Sequence, residues 1–108
     1  MIGIIGAMEE EVAKLQELCE DREEIQKGPY IFVKGKLSGK EVVLCKAGIG
    51  KVNAAACTQA LIDTFSPSQI LNTGVAGAIA EEIHVLDLLV SKDAVQYDIC
   101  LLYTSDAA

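Results

Sequence analysis

The chain opens on eight uncharged residues, Met1-Ile2-Gly3-Ile4-Ile5-Gly6-Ala7-Met8, and passes directly into three carboxylates, Glu9-Glu10-Glu11. A first strand with no polar alternation is one covered on both faces. Strands of that kind belong to sheets flanked by helices, whose ligand sites lie beyond the C-terminal strand ends. The three acids therefore serve either as first-turn residues that complement the positive end of a helix dipole or as a chemical device at that edge.

Helical phase separates them. At about 100° per residue, Met8, Val12, Leu15 and Cys19 fall within roughly 60° of one another and form an apolar stripe. Glu11 lies about 60° from Met8 on the same wheel, at the border of the buried face, while Glu9 and Glu10 lie farther round toward solvent. Glu11 is the acid that the wheel singles out.

Along the chain, residues 2–6 read as a strand and 8–20 as a helix. Residues 21–28 read as a charged connection ending in the turn chemistry of Gly28-Pro29. Segments 30–37 and 41–46, joined by Ser38-Gly39, read as a β-hairpin. A second helix is expected from Lys51 to Phe65, ending before Pro67. Strands follow at 69–73 and 85–91. The expected order is β-α-β-β-α-β-β, which implies an α/β fold: a layered mixed sheet with flanking helices.

At 108 residues and 51% hydrophobic content, the chain is sized for one small ordered domain. A net charge of −7 speaks against nucleic-acid or anionic-membrane partners. The four cysteines, Cys19, Cys45, Cys57 and Cys100, form no C-x-x-C pair and read as free thiols in a reducing, cytoplasmic setting, with no metal site. No stretch reaches membrane-spanning length, and Met1 running straight into core sequence is expected to be a true N-terminus.

Glycines cluster at two further strand ends, Gly48-Ile49-Gly50 and Gly74-Val75-Ala76-Gly77. Each alone suits a tight turn. With Gly6-Ala7-Met8 they make three small strand ends, which points to one shared crevice. Ala47 to Lys51 is not a P-loop, because Cys45 and Val52 occupy required positions. Gly3-Ile4-Ile5-Gly6 lacks dinucleotide spacing. His84, beside Glu81 and Glu82, reads as solvated.

Three segments carry a family resemblance. Residues 2–12, Ile-Gly-Ile-Ile-Gly-Ala-Met-Glu-Glu-Glu-Val, resemble the N-terminus of the 5′-methylthioadenosine/S-adenosylhomocysteine nucleosidases. Residues 47–55, Ala-Gly-Ile-Gly-Lys-Val-Asn-Ala-Ala, and 72–78, Asn-Thr-Gly-Val-Ala-Gly-Ala, are similar to that family's next two motifs, in order. Residues 90–98 resemble the following strand. The first motif is the more specific one; the other two are shared with purine nucleoside phosphorylases. The resemblance implies a nucleoside phosphorylase-like fold and hydrolysis of an N-glycosidic bond, releasing adenine and a thioribose in methionine salvage. It makes Glu11 the acid that activates water, and places Met8, Ile49, Val75, Ala76 and Gly77 along the nucleoside. It implies a small-molecule substrate, a homodimer, and no cofactor. Leu86 stands where relatives commonly have glycine.

Relatives of that family are roughly twice as long. Their second half carries the leaving-group acid and a ribose-gripping carboxylate, so residues 1–99 are expected to be the N-terminal part of a nucleosidase domain, inactive alone. Residues 100–108 do not resemble the family and are expected to be a non-native tail. Two other functions stay open at this stage: a purine nucleoside phosphorylase, and a nucleoside-binding module without chemistry.

Overall fold

The computed structural model describes residues 1–96. The chain divides into two units, residues 1–76 and 77–108. Tyr97, Asp98 and the proposed tail 100–108 lie outside the described residues.

The first unit runs β1 (Ile2–Gly6), α1 (Glu9–Leu18), β2 (Glu20–Lys27), β3 (Tyr30–Leu37), β4 (Lys40–Lys46), α2 (Lys51–Phe65) and β5 (Gln69–Asn72). The strands form one mixed sheet in the order β2-β3-β4-β1-β5. β1 pairs in parallel with β4 and β5, while β3 pairs antiparallel with β4 and β2.

Strand alternation sorts the core into two layers. Ile5, Phe32, Val43, Cys45 and Ala47 face α2, where they meet Cys57 and Leu61. Ile4, Val33, Val42 and Leu44 face the other way and meet Cys19 and Leu15 at the α1 side. β1 and β4 are covered on both faces, which accounts for their unbroken apolar sequence.

Three sequence expectations require correction. The helix expected at 8–20 is shorter: Met8 is its N-cap with extended backbone (φ −124°, ψ 159°), and Cys19 is its C-cap. The connection expected at 21–28 is the edge strand β2, which hydrogen-bonds to β3 up to the Gly28-Pro29 turn. Its charges hid it, because they reflect exposure rather than absence of structure. Glu20 stands opposite Lys36 and Glu23 opposite Lys34, so cross-strand charges match, and a charged edge resists pairing with other chains.

The third correction concerns the strand expected at 85–91. Residues 73–96 contain no helix or strand, and Val85, Leu88 and Val90 are exposed. His84 N–H donates to the Asp87 carboxylate at 2.7 Å, and Asp87 N–H donates to the His84 carbonyl at 3.1 Å, folding residues 84–87 into a turn. Leu86 has a φ of 74°, which an extended strand does not permit. His84 itself is solvent-exposed, as its neighbours suggested.

That left-handed backbone gives a first prediction. Leu86→Gly removes a steric cost of about 1 kcal/mol and forfeits no burial, since Leu86 is 98% exposed. The Asp87 amide should then exchange with solvent about fivefold more slowly. Unchanged or faster exchange by nuclear magnetic resonance would rule out relief of strain at this turn.

Candidate functional site

The three parallel strands deliver their C-terminal ends to one edge. Gly6 is in register with Lys46, and Ile5 with both Cys45 and Asn72. Two bonds prolong these ladders into the loops: Ala47 N–H to the Gly6 carbonyl at 2.8 Å, and Thr73 N–H to the Ile5 carbonyl at 2.9 Å. A cleft of about 280 Å³ opens there, lined among others by Gly6, Ala7, Gly48, Gly50, Ala54 and Asn72. All three small strand ends thus meet at one edge of the sheet. Helices leave β1 and β4 onto opposite faces there, the arrangement that opens crevices in α/β sheets.

Glu11 is the third residue of α1. Its Oε2 accepts from Ala7 N–H at 2.6 Å and from Met8 N–H at 3.0 Å. Met8 has no side-chain oxygen to cap the helix, so the Glu11 carboxylate satisfies orphan amides at the helix start. The bonds also hold the carboxylate back against the β1 loop. Among the described residues, no hydrogen bond reaches Oε1. Glu9 and Glu10 are exposed; Glu9 makes an open ion pair with Lys46, at 3.7 Å.

Two glycines make room for this carboxylate. A Cβ on Gly6 would lie 2.9 Å from Val12 Cγ1 and 3.0 Å from Glu11 Cβ. A Cβ on Gly74 would lie 3.1 Å from Glu11 Oε1. Gly74→Ala should therefore push the carboxylate aside while leaving stability within about 1 kcal/mol. The Ala7 and Met8 amide resonances, which report the two bonds, should both move. If they stay in place, Gly74 does not set the position of Glu11.

The other anticipated residues are distributed unevenly. Met8 adjoins Ala7 at the cleft and is 37% exposed. Ile49 projects from between Gly48 and Gly50 and is largely exposed. Val75 and Ala76 follow β5 as exposed, irregular chain. Gly77 opens the second unit and is exposed. Met8, Ile49, Val75 and Ala76 are not among the residues that line the cleft. Sequence reasoning missed Ala7 as a donor, and Ala54 and Asn72 as lining residues. Asn72 could have been found as the polar residue that ends the short strand β5. Ala54 carries no such signal.

Asn53 ties the loop to α2: its Nδ2 donates to the Ile49 carbonyl at 2.8 Å. Among the described residues, no group of three or more His, Cys, Asp or Glu side chains could hold a metal ion, and no helix is long and apolar enough to cross a membrane. The sheet edge thus offers a cleft lined mainly by small residues, with Asn72 and the cationic Lys51 among them, and with the Glu11 carboxylate anchored beside it.

Known proteins resemble this chain in sequence and fold. A family model described as "Phosphorylase superfamily" matches residues 1–106. The 5′-methylthioadenosine/S-adenosylhomocysteine nucleosidase of Staphylococcus haemolyticus is 54% identical over 99 residues, which cover 92% of this chain and 43% of that protein. The chain thus spans less than half the length of that curated relative. The crystal structure of such a nucleosidase from Colwellia psychrerythraea, in complex with adenine, matches with a TM-score of 0.77 at 45% identity, over 78% of this chain and 35% of that one. A mutant of the Helicobacter pylori nucleosidase, with 5′-methylthioadenosine in its active site, matches with a TM-score of 0.87 at 38% identity, over 95% and 45% of the two chains. The sheet and its two helices have the nucleoside phosphorylase-like fold of these enzymes, and the chain belongs to the phosphorylase superfamily.

Proposed function

We propose that the whole protein hydrolyses the N-glycosidic bond of 5′-methylthioadenosine and S-adenosylhomocysteine, with Glu11 as the base that activates water. The observation that carries this reading is the asymmetry of the Glu11 carboxylate: Oε2 is held by two backbone amides, while Oε1, beside Gly74, has no hydrogen-bond partner among the described residues. A water bound at Oε1 would be oriented by a carboxylate that cannot swing away. As the bond from C1′ to the base nitrogen breaks, positive charge develops on the ribose. The nearby carboxylate stabilises that charge and takes the proton of the attacking water. Met8, Ile49, Val75, Ala76 and Gly77 are proposed to flank the nucleoside. Residues 1–99 are the N-terminal part of the domain that performs this reaction, in a cytoplasmic homodimer.

The superfamily match gives a phosphorolytic alternative its standing. That reaction needs cationic side chains for phosphate. The single arginine, Arg22, lies on β2, at the far edge of the sheet from β1. There it donates to the Gln16 carbonyl at 3.3 Å. No arginine therefore lines the cleft, while one lysine, Lys51, does. Product analysis decides, using a chain extended to the relatives' full length. Adenine and free thioribose formed without phosphate support the hydrolase. Adenine formed only with phosphate, together with a sugar 1-phosphate, supports the phosphorylase. Unchanged nucleoside leaves a binding module.

A further inference from the structure

Two thiols meet directly beneath the cleft. Cys45, on β4, and Cys57, on α2, are both fully buried, and their sulfurs are 3.3 Å apart. Neither is needed by the hydrolytic reading. The residues above them line the cleft: Ala47 follows Cys45 by two positions on the same strand face, and Ala54 precedes Cys57 by one helical turn. The chain between the two cysteines is the Gly48-Ile49-Gly50 loop with the first turns of α2.

We propose that Cys45 and Cys57 form an oxidation site, in which a hydroperoxide entering through the cleft converts the buried thiol pair into an internal disulfide joining β4 to α2. The contact distance is the main argument. A disulfide needs sulfurs about 2.05 Å apart, so closing the observed gap takes a movement of little more than an ångström. Two-coordinate metal binding fits less well, because a linear thiolate–metal–thiolate unit holds its sulfurs farther apart than 3.3 Å.

In the resting pair the Cys57 thiol donates to the Cys45 sulfur. Once a proton leaves, the remaining Cys45 thiol donates to the Cys57 sulfur. That bond lowers the Cys57 thiol and, with burial, raises Cys45. The Cys57 thiolate attacks the terminal peroxide oxygen. The O–O bond breaks, hydroxide or alkoxide leaves and is protonated, and Cys57 becomes a sulfenic acid. The Cys45 sulfur then attacks the Cys57 sulfur, the S–O bond breaks, and the hydroxyl departs with the Cys45 proton as water. Two thiols lose two electrons in total, and one hydroperoxide is reduced. The third buried thiol, Cys19, lies on the opposite sheet face, and burial raises its thiol.

The test is mass spectrometry of the 108-residue chain, treated with hydrogen peroxide under native conditions and then alkylated. Trypsin cuts after Lys40, Lys46, Lys51 and Lys92, so the disulfide would link peptide 41–46 to peptide 52–92. That linked pair should exceed any other cysteine linkage by about tenfold, and be abolished in both Cys45→Ala and Cys57→Ala. A Cys19→Ala variant should retain it. Oxidation found only as sulfenic or sulfinic acid, linkage through Cys19 or Cys100 instead, or full alkylation of Cys45 and Cys57 after treatment would each overturn the proposal. The result is independent of whether the protein cleaves nucleosides, since no activity is read.

Discussion

In a chain extended to the relatives' full length, Glu11→Gln is expected to lower the rate of adenine release by about 10²–10⁴-fold, the range that a positioned general base contributes. Nucleoside binding should change little. The amide oxygen of glutamine can still accept from Ala7 and Met8 N–H, so the start of α1 keeps its cap. What disappears is the charge and the capacity to take a proton. The loss should therefore fall on kcat, with KM near its original value. Glu9→Gln and Glu10→Gln, at exposed positions, should leave kcat within about threefold. Steady-state kinetics on the three variants check this. A Glu10→Gln variant as impaired as Glu11→Gln would remove the structural basis for choosing Glu11.

Phe32→Ala is expected to cost about 3–5 kcal/mol of folding stability. Phe32 is fully buried. It packs edge-on against Phe65, with ring centroids 5.3 Å apart at 71°, and at a tilt against Tyr30 at 6.4 Å. It also sits in the layer that binds α2 to the sheet. Truncation would leave a cavity that this layer cannot refill, and domains of this kind have only about 5–15 kcal/mol to lose. Its neighbour Ile31 faces the other way and is 52% exposed, so Ile31→Ala should cost no more than about 1 kcal/mol. Urea denaturation followed by circular dichroism measures both. Equal losses at 31 and 32 would contradict the assignment of β3's two faces.

Both predictions rest on side-chain parity, and parity was legible in the chain. The unbroken apolar run of β1, the alternation of β3 and the position of Glu11 at the border of its helix stripe are local patterns. Period alone reveals them, because buried faces select apolar residues at fixed intervals. The charged strand β2 was not legible. Its stability comes from hydrogen bonds and matched charges across to β3, and an exposed edge imposes no apolar period. Residues 85–91 show the converse failure. Their composition suits a strand, but composition supplies no partner, and the positive φ at Leu86 turns the backbone away from an extended path.

The same division holds at the site. By itself the sequence determined the α/β class and the glycine-bearing strand ends, and it set Glu11 apart from the other two acids at the border of the apolar stripe. Tertiary structure alone decided that the ends of β1, β4 and β5 share one edge. It also decided that Ala7 and Met8 hold one carboxylate oxygen, that Gly74 leaves space beside the other, and that Cys45 meets Cys57. These are contacts between segments as far apart in sequence as Ile2 and Gln69, set by strand order and parallel register. A hydrophobic period states which face of an element is buried. It does not state which other element lies against that face, and the chemistry of this site depends on that second fact.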